Sequence, residues 1–229
     1  MAYNQANSGT ALTAFWYKNQ KALLTIVAII IIAILGVIAY KAFIQGPKAE
    51  RANEQLAVVQ TNFQQAAFQP TLDTAAYKAV LNGAGEGIGA LGIIKSYGGT
   101  PAGNLAKFYA GAAYLHIGDF ANAVKYLKDF STEQKQIQMM AYGALGDAYS
   151  ELKQNKEAIA SYKKAASTFE DDGVNASEYL FRAGMLSELS GQKSDAIAIY
   201  KQLKDEFPNT VKGTQAEKYL NRLEVQTTN

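Results

Sequence analysis

LAKFYAGAAYLHIGDFANAVKYL (residues 105–127), MAYGALGDAYSELKQNKEAIASYKKA (140–165) and YLFRAGMLSELSGQKSDAIAIYKQL (179–203) are three versions of one pattern. Laid over one another they put glycine at 111, 146 and 184 and alanine at 123, 158 and 196, so both series advance by 35 and then 38 residues. A near-constant step of that size marks a helical solenoid, whose two-helix units bury their apolar faces only against their neighbours. The residue types suit that geometry. Gly111, Gly146 and Gly184 fall where the two helices of a hairpin approach, so a side chain there is expected to clash. Tyr114 and Tyr149 fill the space beside them, which Ser187 does poorly in the third unit. Gly118-Asp119 and Gly191-Gln192 suit the turn between helices, because glycine accepts positive φ. Ala123, Ala158 and Ala196 are small where the second helix crosses the first. Leu127, Tyr162 and Tyr200 are expected to pack toward the next unit, and Pro208 ends the last hairpin. Residues 213–225, with Ala216, Tyr219, Leu220 and Leu223 on one face, predict the capping helix such arrays need.

At these positions the pattern resembles the tetratricopeptide repeat. Lys107 departs from the bulky aromatic expected near the start of the first unit. The resemblance implies a superhelix whose concave face is lined by the first helix of each hairpin. That rule places Leu105, Phe108, Ala112, Leu115 and His116 in a groove, followed by Met140, Gly143, Asp147, Ser150 and Glu151, then Glu178, Phe181, Met185 and Glu188. A surface mixing Phe, Met and Leu with acids suits an apolar or amphipathic segment, flexible methionine adapting to varied partners. Phe108, Leu115, His116, Met140, Asp147, Glu151, Phe181, Met185 and Glu188 are therefore the candidate partner-binding residues. For Phe108 and Leu115, packing on the preceding helices is an equal alternative. For Phe181 and Met185 a partner is the favoured reading.

Before the repeats, Leu56, Val59, Phe63, Ala66 and Ala67 follow helical spacing within 48–69, and Pro70 stops that helix. Two further helical pieces, between Thr71 and Tyr97, flank the glycine-rich NGAGEGIGALG, and GGTPAGN reads as the next break. Further back, ALLTIVAIIIIAILGVIAY (22–40) carries no charge. At about 1.5 Å per residue it is about 28 Å long, close to the hydrocarbon thickness of a bilayer. Phe15, Trp16 and Tyr17 at one end, and Tyr40 and Phe43 at the other, suit the headgroup level, where Lys18, Lys21 and Lys41 can snorkel. Gly46-Pro47 is expected to end this membrane helix. No A-x-A site follows closely, so the segment reads as a retained anchor rather than a cleaved signal. Ala33 and Gly36 give it a small-residue face for another helix. Basic residues are balanced on the two sides and leave orientation open.

The fold class is thus all-α: one N-terminal transmembrane helix followed by an α-solenoid of tetratricopeptide-like hairpins. The boundaries are a short segment 1–21, the membrane helix and its flank 22–45, an amphipathic helix and helical hairpin 46–103, three repeats with a capping helix 104–225, and a tail 226–229. Residues 1–49 hold four lysines and no acid, leaving 18 Lys and Arg against all 20 acids beyond them. A near-neutral soluble part argues against nucleic acid as partner. The absence of cysteine excludes disulfides and thiol catalysis.

The string YGGT-x-AGNLA (Tyr97 to Ala106), set between a single-pass anchor and a short repeat array, resembles the YfgM-type ancillary subunits of the Sec translocon. The likeness covers most of residues 20–225. It implies a bacterial inner-membrane protein with its N-terminus in the cytoplasm and its repeats in the periplasm. It also implies protein partners: translocon subunits and a periplasmic chaperone or prolyl isomerase. An adaptor for another envelope machine is the alternative, with outer-membrane assembly, cell division or a secretion system as the setting.

Nothing assembles into an active site, so no enzyme activity, cofactor, metal or small-molecule substrate is expected. His116 is the only histidine. GEGIGA (85–90) matches a dinucleotide fingerprint formally, but the residues before it read helical where that fingerprint needs a strand. Glu170-Asp171-Asp172 lacks the alternating ligands of a calcium loop. Asp73-Thr74-Ala75 matches a short O-glycosylation consensus of some bacterial envelope proteins, which makes Thr74 a candidate acceptor.

Overall fold

The computed structural model describes residues 6–85 and 87–225, so the expected tail 226–229 lies outside the described residues. Every element among them is helical: α1 (Ala6–Tyr40), a π-helical segment (Lys41–Gln45), α2 (Gly46–Ala67), α3 (Thr74–Asn82), α4 (Ala90–Tyr97), α5 (Pro101–His116), α6 (Phe120–Lys128), α7 (Lys135–Glu151), α8 (Asn155–Thr168), α9 (Gly173–Leu189), α10 (Lys193–Glu206) and α11 (Val211–Val225). The chain divides into two units, residues 1–50 and 51–229.

In the first unit, α1 is long and apolar enough to cross a membrane. Its isoleucines are at least half exposed around the whole circumference, from Ile26 through Ile32 to Ile38. An exposed surface of that kind is stable in lipid and not in water. Gly46-Pro47 does not end the helix as expected. Gly46 stays in the right-handed helical region, and its N–H donates to the carbonyl of Lys41, five residues back. Proline lacks the N–H for an ordinary helical bond, and its ring crowds the carbonyl four residues earlier. The wider π turn just before Pro47 accommodates that ring without breaking the helix.

In the second unit, α2 turns Ala52, Leu56, Val59 and Ala66 inward at helical spacing. They share an apolar cluster with Tyr77, Val80 and Leu81 of α3, Ala90 and Ile93 of α4, and the alanines Ala102, Ala106, Ala110 and Ala113 of α5. Asp73 caps α3, its Oδ1 accepting from the N–H groups of Ala75 and Ala76. The glycine-rich stretch after α3 is a tight connection between helices. Gly83 takes φ +94°, and a Cβ on Gly89 would strike the carbonyl of Leu81. No strand precedes it, so the dinucleotide fingerprint has no structural basis here. Pro101 is the first residue of α5 rather than part of a break. Thr100 caps that helix by accepting from Gly103 N–H at 3.1 Å, and proline suits the first turn.

The hairpins α5/α6, α7/α8 and α9/α10 then stack, and α11 covers the last of them. Their main cluster runs from Phe108 through Leu145, Tyr162 and Leu180 to Tyr200 and Leu223. The turn inside each of the three hairpins has one residue at positive φ: Gly118 (+81°), Lys153 (+59°) and Gly191 (+76°). These recur at the repeat spacing, so Lys153 occupies a backbone position that glycine fills in the other two units.

Candidate functional site

The glycines set the closest approach of the two helices within each hairpin. A Cβ on Gly146 would lie 2.5 Å from Cδ1 and Cε1 of Tyr162, one on Gly184 2.7 Å from Cε1 of Tyr200, and one on Gly111 2.5 Å from Cγ of Leu127. Leu127, Tyr162 and Tyr200 therefore do not simply reach toward the next unit. Each lies flat over the glycine of its own hairpin, on the path where the two helices come closest. Ser187 is fully buried, its hydroxyl donating to Ala183 O at 2.9 Å, so a small polar residue satisfies itself where tyrosine stands in the other units.

Flat placement carries the tyrosine hydroxyls to acids on the groove face. Tyr162 donates to Asp147 Oδ1 at 2.7 Å, and Arg182 Nη1 from α9 donates to the same oxygen at 2.9 Å. Arg182 Nε also donates to Glu178 Oε1 at 3.0 Å, whose other oxygen lies 3.3 Å from Lys212 Nζ on α11. One repeat further, Tyr200 donates to Glu188 Oε2 at 3.3 Å, while Arg222 Nη2 on α11 reaches both Glu188 oxygens at 2.6 Å. Burial pushes the pKa of both tyrosines up, and the neighbouring carboxylates add to it. Burial alone would also raise Glu178, but Arg182 and Lys212 outweigh it and hold the carboxyl below its ordinary range. Burial opposes the charge on Arg182, yet Asp147 and Glu178 keep its pKa above the usual value.

Residues 141–172 and 178–210 each match a tetratricopeptide-repeat family model. These two stretches are tetratricopeptide repeats. No curated protein and no solved structure matches the chain. Within the array, the residues expected in the groove have three fates. Those of the first repeat are covered or flanked from within the chain, His116 staying partly exposed. Phe108 is 7 % exposed and packs on Phe130, Leu115 is half-buried against the main cluster, and His116 stacks on Tyr77 of α3 with ring centroids 4.3 Å apart. Phe63 of α2 meets both Tyr77 and Tyr109 edge-on. Burial lowers the pKa of His116. Lys107, in place of an aromatic, reaches across to Asp129 at 2.7 Å.

Phe181 is also covered. It is 6 % exposed, with Tyr219 of α11 edge-on at 5.1 Å and the Lys212 ammonium 4.2 Å from its ring centroid. Asp147 and Glu188 are held by the arginines above, and Gly143 lies beneath the Tyr179 ring. Met140 (45 % exposed), Met185 (38 %) and Glu151 remain open to solvent. The array therefore presents two flexible apolar side chains beside charges already spent on one another. Arg182, Lys212, Arg222 and Tyr179 escaped the sequence reading. The available signal was opposite charge one period apart, since Asp147 and Arg182 are separated by 35 residues and Glu188 and Arg222 by 34.

Of the remaining sites, Ala33 and Gly36 lie on the exposed surface of α1, with open space where a Cβ on Gly36 would stand. Thr74 is exposed at the start of α3, immediately after its capping aspartate. Asp172 of the acidic run caps α9, accepting from Asn175 N–H at 3.2 Å. No group of three or more potential metal ligands occurs among the described residues.

Proposed function

We propose that this chain is a non-enzymatic scaffold tethered in a bacterial inner membrane beside the Sec protein-export channel. In this reading its N-terminus is cytoplasmic and its repeats are periplasmic, where they recruit a chaperone or prolyl isomerase to emerging polypeptides. A tetratricopeptide array is a protein-interaction scaffold. The observation that carries the proposal is the coexistence of one fully exposed apolar helix with an array whose open face offers Met140 and Met185. Methionine side chains adapt to varied apolar partners. Anchoring raises the local concentration of such a surface at the membrane, so a weak contact suffices. The YGGT-x-AGNLA string supports the choice of the translocon among envelope machines.

Ala33 and Gly36 are the proposed contact of α1 with a translocon helix, small residues allowing close backbone approach in lipid. Thr74 is proposed as a glycosylation acceptor, and an intact mass equal to that of the bare polypeptide would refute this. The scaffold reading is tested by mild-detergent purification from native membranes with a tag after Asn229. Recovery of channel subunits together with a periplasmic chaperone is the expected result, with photocrosslinks from position 33 to a channel subunit and from position 185 to the chaperone. Stable recovery of a different envelope machine would transfer the function to the adaptor reading. Labelling of a Glu151→Cys variant from the cytoplasmic side only would overturn the topology.

A further inference from the structure

The joints of the array are not built alike. At the joint between the second and third hairpins, Tyr162 of α8, Asp147 of α7 and Arg182 of α9 form a latch that ties three helices at one carboxylate oxygen. At the joint between the third hairpin and α11, Tyr200, Glu188 and Arg222 repeat it, reinforced by Lys212 on Glu178. The joint between the first and second hairpins lacks the device. Leu127, which has no hydroxyl, takes the place of the two tyrosines over its glycine. Ala112 stands one residue after Gly111, where Asp147 follows Gly146. Among the described residues no side-chain hydrogen bond or ion pair joins α5 or α6 to α7. Lys107 and Asn104 instead reach the loop after α6, bonding Asp129 and Ser131, and Gln138 Oε1 of α7 accepts from Thr132 N–H in that same loop.

What crosses this joint is apolar: Phe108, Leu127 and Phe130 share one cluster with Ala141 and Leu145 of α7. Apolar contacts resist separation but tolerate sliding, because dispersion is non-directional, whereas charge-assisted hydrogen bonds fix orientation.

We infer that α7 to α11 move as one stiff block that pivots against the α2–α6 half at the α5–α7 joint. The pivot turns the face bearing Met140 and Met185 relative to the first repeat without changing the spacing within the block. This conformational device does not depend on which partner docks.

The chain has no cysteine, so introduced thiols label cleanly. Lys125, Ala160 and Ala198 are exposed, register-equivalent positions on α6, α8 and α10. Spin labels on Lys125→Cys/Ala160→Cys and on Ala160→Cys/Ala198→Cys, each in the full chain in nanodiscs, report the first and second joints by electron double resonance. The expected result is a wider distance distribution for 125/160 than for 160/198. Adding Arg182→Gln is expected to widen the second distribution and leave the first unchanged. Equal widths in the unmodified background, or a narrower 125/160 distribution, would overturn the inference without touching the scaffold reading.

Discussion

Replacing Gly146 with alanine isolates the contact on which the hairpin geometry rests. The new Cβ would stand 2.5 Å from two Tyr162 ring carbons, about 1 Å inside a normal carbon–carbon contact. The ring is 5 % exposed, and its hydroxyl is held by Asp147, so it cannot swing away freely. Overpacking a core typically costs about 1–3 kcal/mol. Losing a hydrogen bond to a charged group adds about 1.5–3 kcal/mol if the ring is driven off. Against this, alanine is favoured over glycine in a helix interior by about 1 kcal/mol. The net expectation is a loss of about 2 kcal/mol. With a urea dependence of roughly 1–3 kcal/mol per molar, the unfolding midpoint falls by about 1 M. The assay is urea denaturation of the full chain in detergent, followed by circular dichroism. Gly99→Ala serves as control, because nothing lies within 4 Å of a Cβ there. Combining Gly146→Ala with Tyr162→Ala should give less than the sum of the single losses, since one change removes the other's clash. A midpoint for Gly146→Ala equal to or above that of the parent would refute the reasoning, because the hairpin would then be free to widen.

Lys153 holds φ +59° where the other repeats use glycine, and left-handed backbone costs a side-chain-bearing residue about 1–2 kcal/mol. Lys153→Gly is therefore expected to raise the urea midpoint slightly, the gain being trimmed by glycine's greater unfolded-state entropy. Removing one hydroxyl by Tyr162→Phe leaves Asp147 with Arg182 alone, and a loss of about 1.5–3 kcal/mol is expected in the same assay. Glu178 has a folded-state pKa below its ordinary 4.5, so its stabilising contribution is complete above that value and disappears as pH falls through the depressed folded value. Glu178→Gln should flatten the acid limb of a stability–pH profile, and an unchanged limb would contradict the Arg182–Glu178–Lys212 chain. As a base with a lowered pKa, His116 makes folding less favourable as pH falls below about 6.5. As the only histidine, it gives one imidazole signal in a magnetic-resonance titration, and a midpoint above 6.5 would contradict its desolvation beside Tyr77.

The repeats and the apolar span were legible in the residues because each follows from local rules. The glycines 111, 146 and 184 announce close approach wherever they occur in a helix, and the uncharged run 22–40 has no stable place in water. Three matters were decided only in three dimensions. Pro47 stays inside a continuous helix because a π turn makes room for its ring, a compensation invisible in a residue string. Phe108, Leu115 and Phe181 are taken up by the main cluster, with Phe130 after α6 on Phe108 and Tyr219 of α11 on Phe181, since apolar faces are buried by whichever segment the tertiary packing brings near. Asp147 and Glu188, expected to face a partner, are held by arginines some 35 positions away, because stacking brings such residues into contact. Periodicity determined that there is an array of helical hairpins, whereas the packing of neighbouring helices determined that Met140, Met185 and Glu151 remain open to solvent.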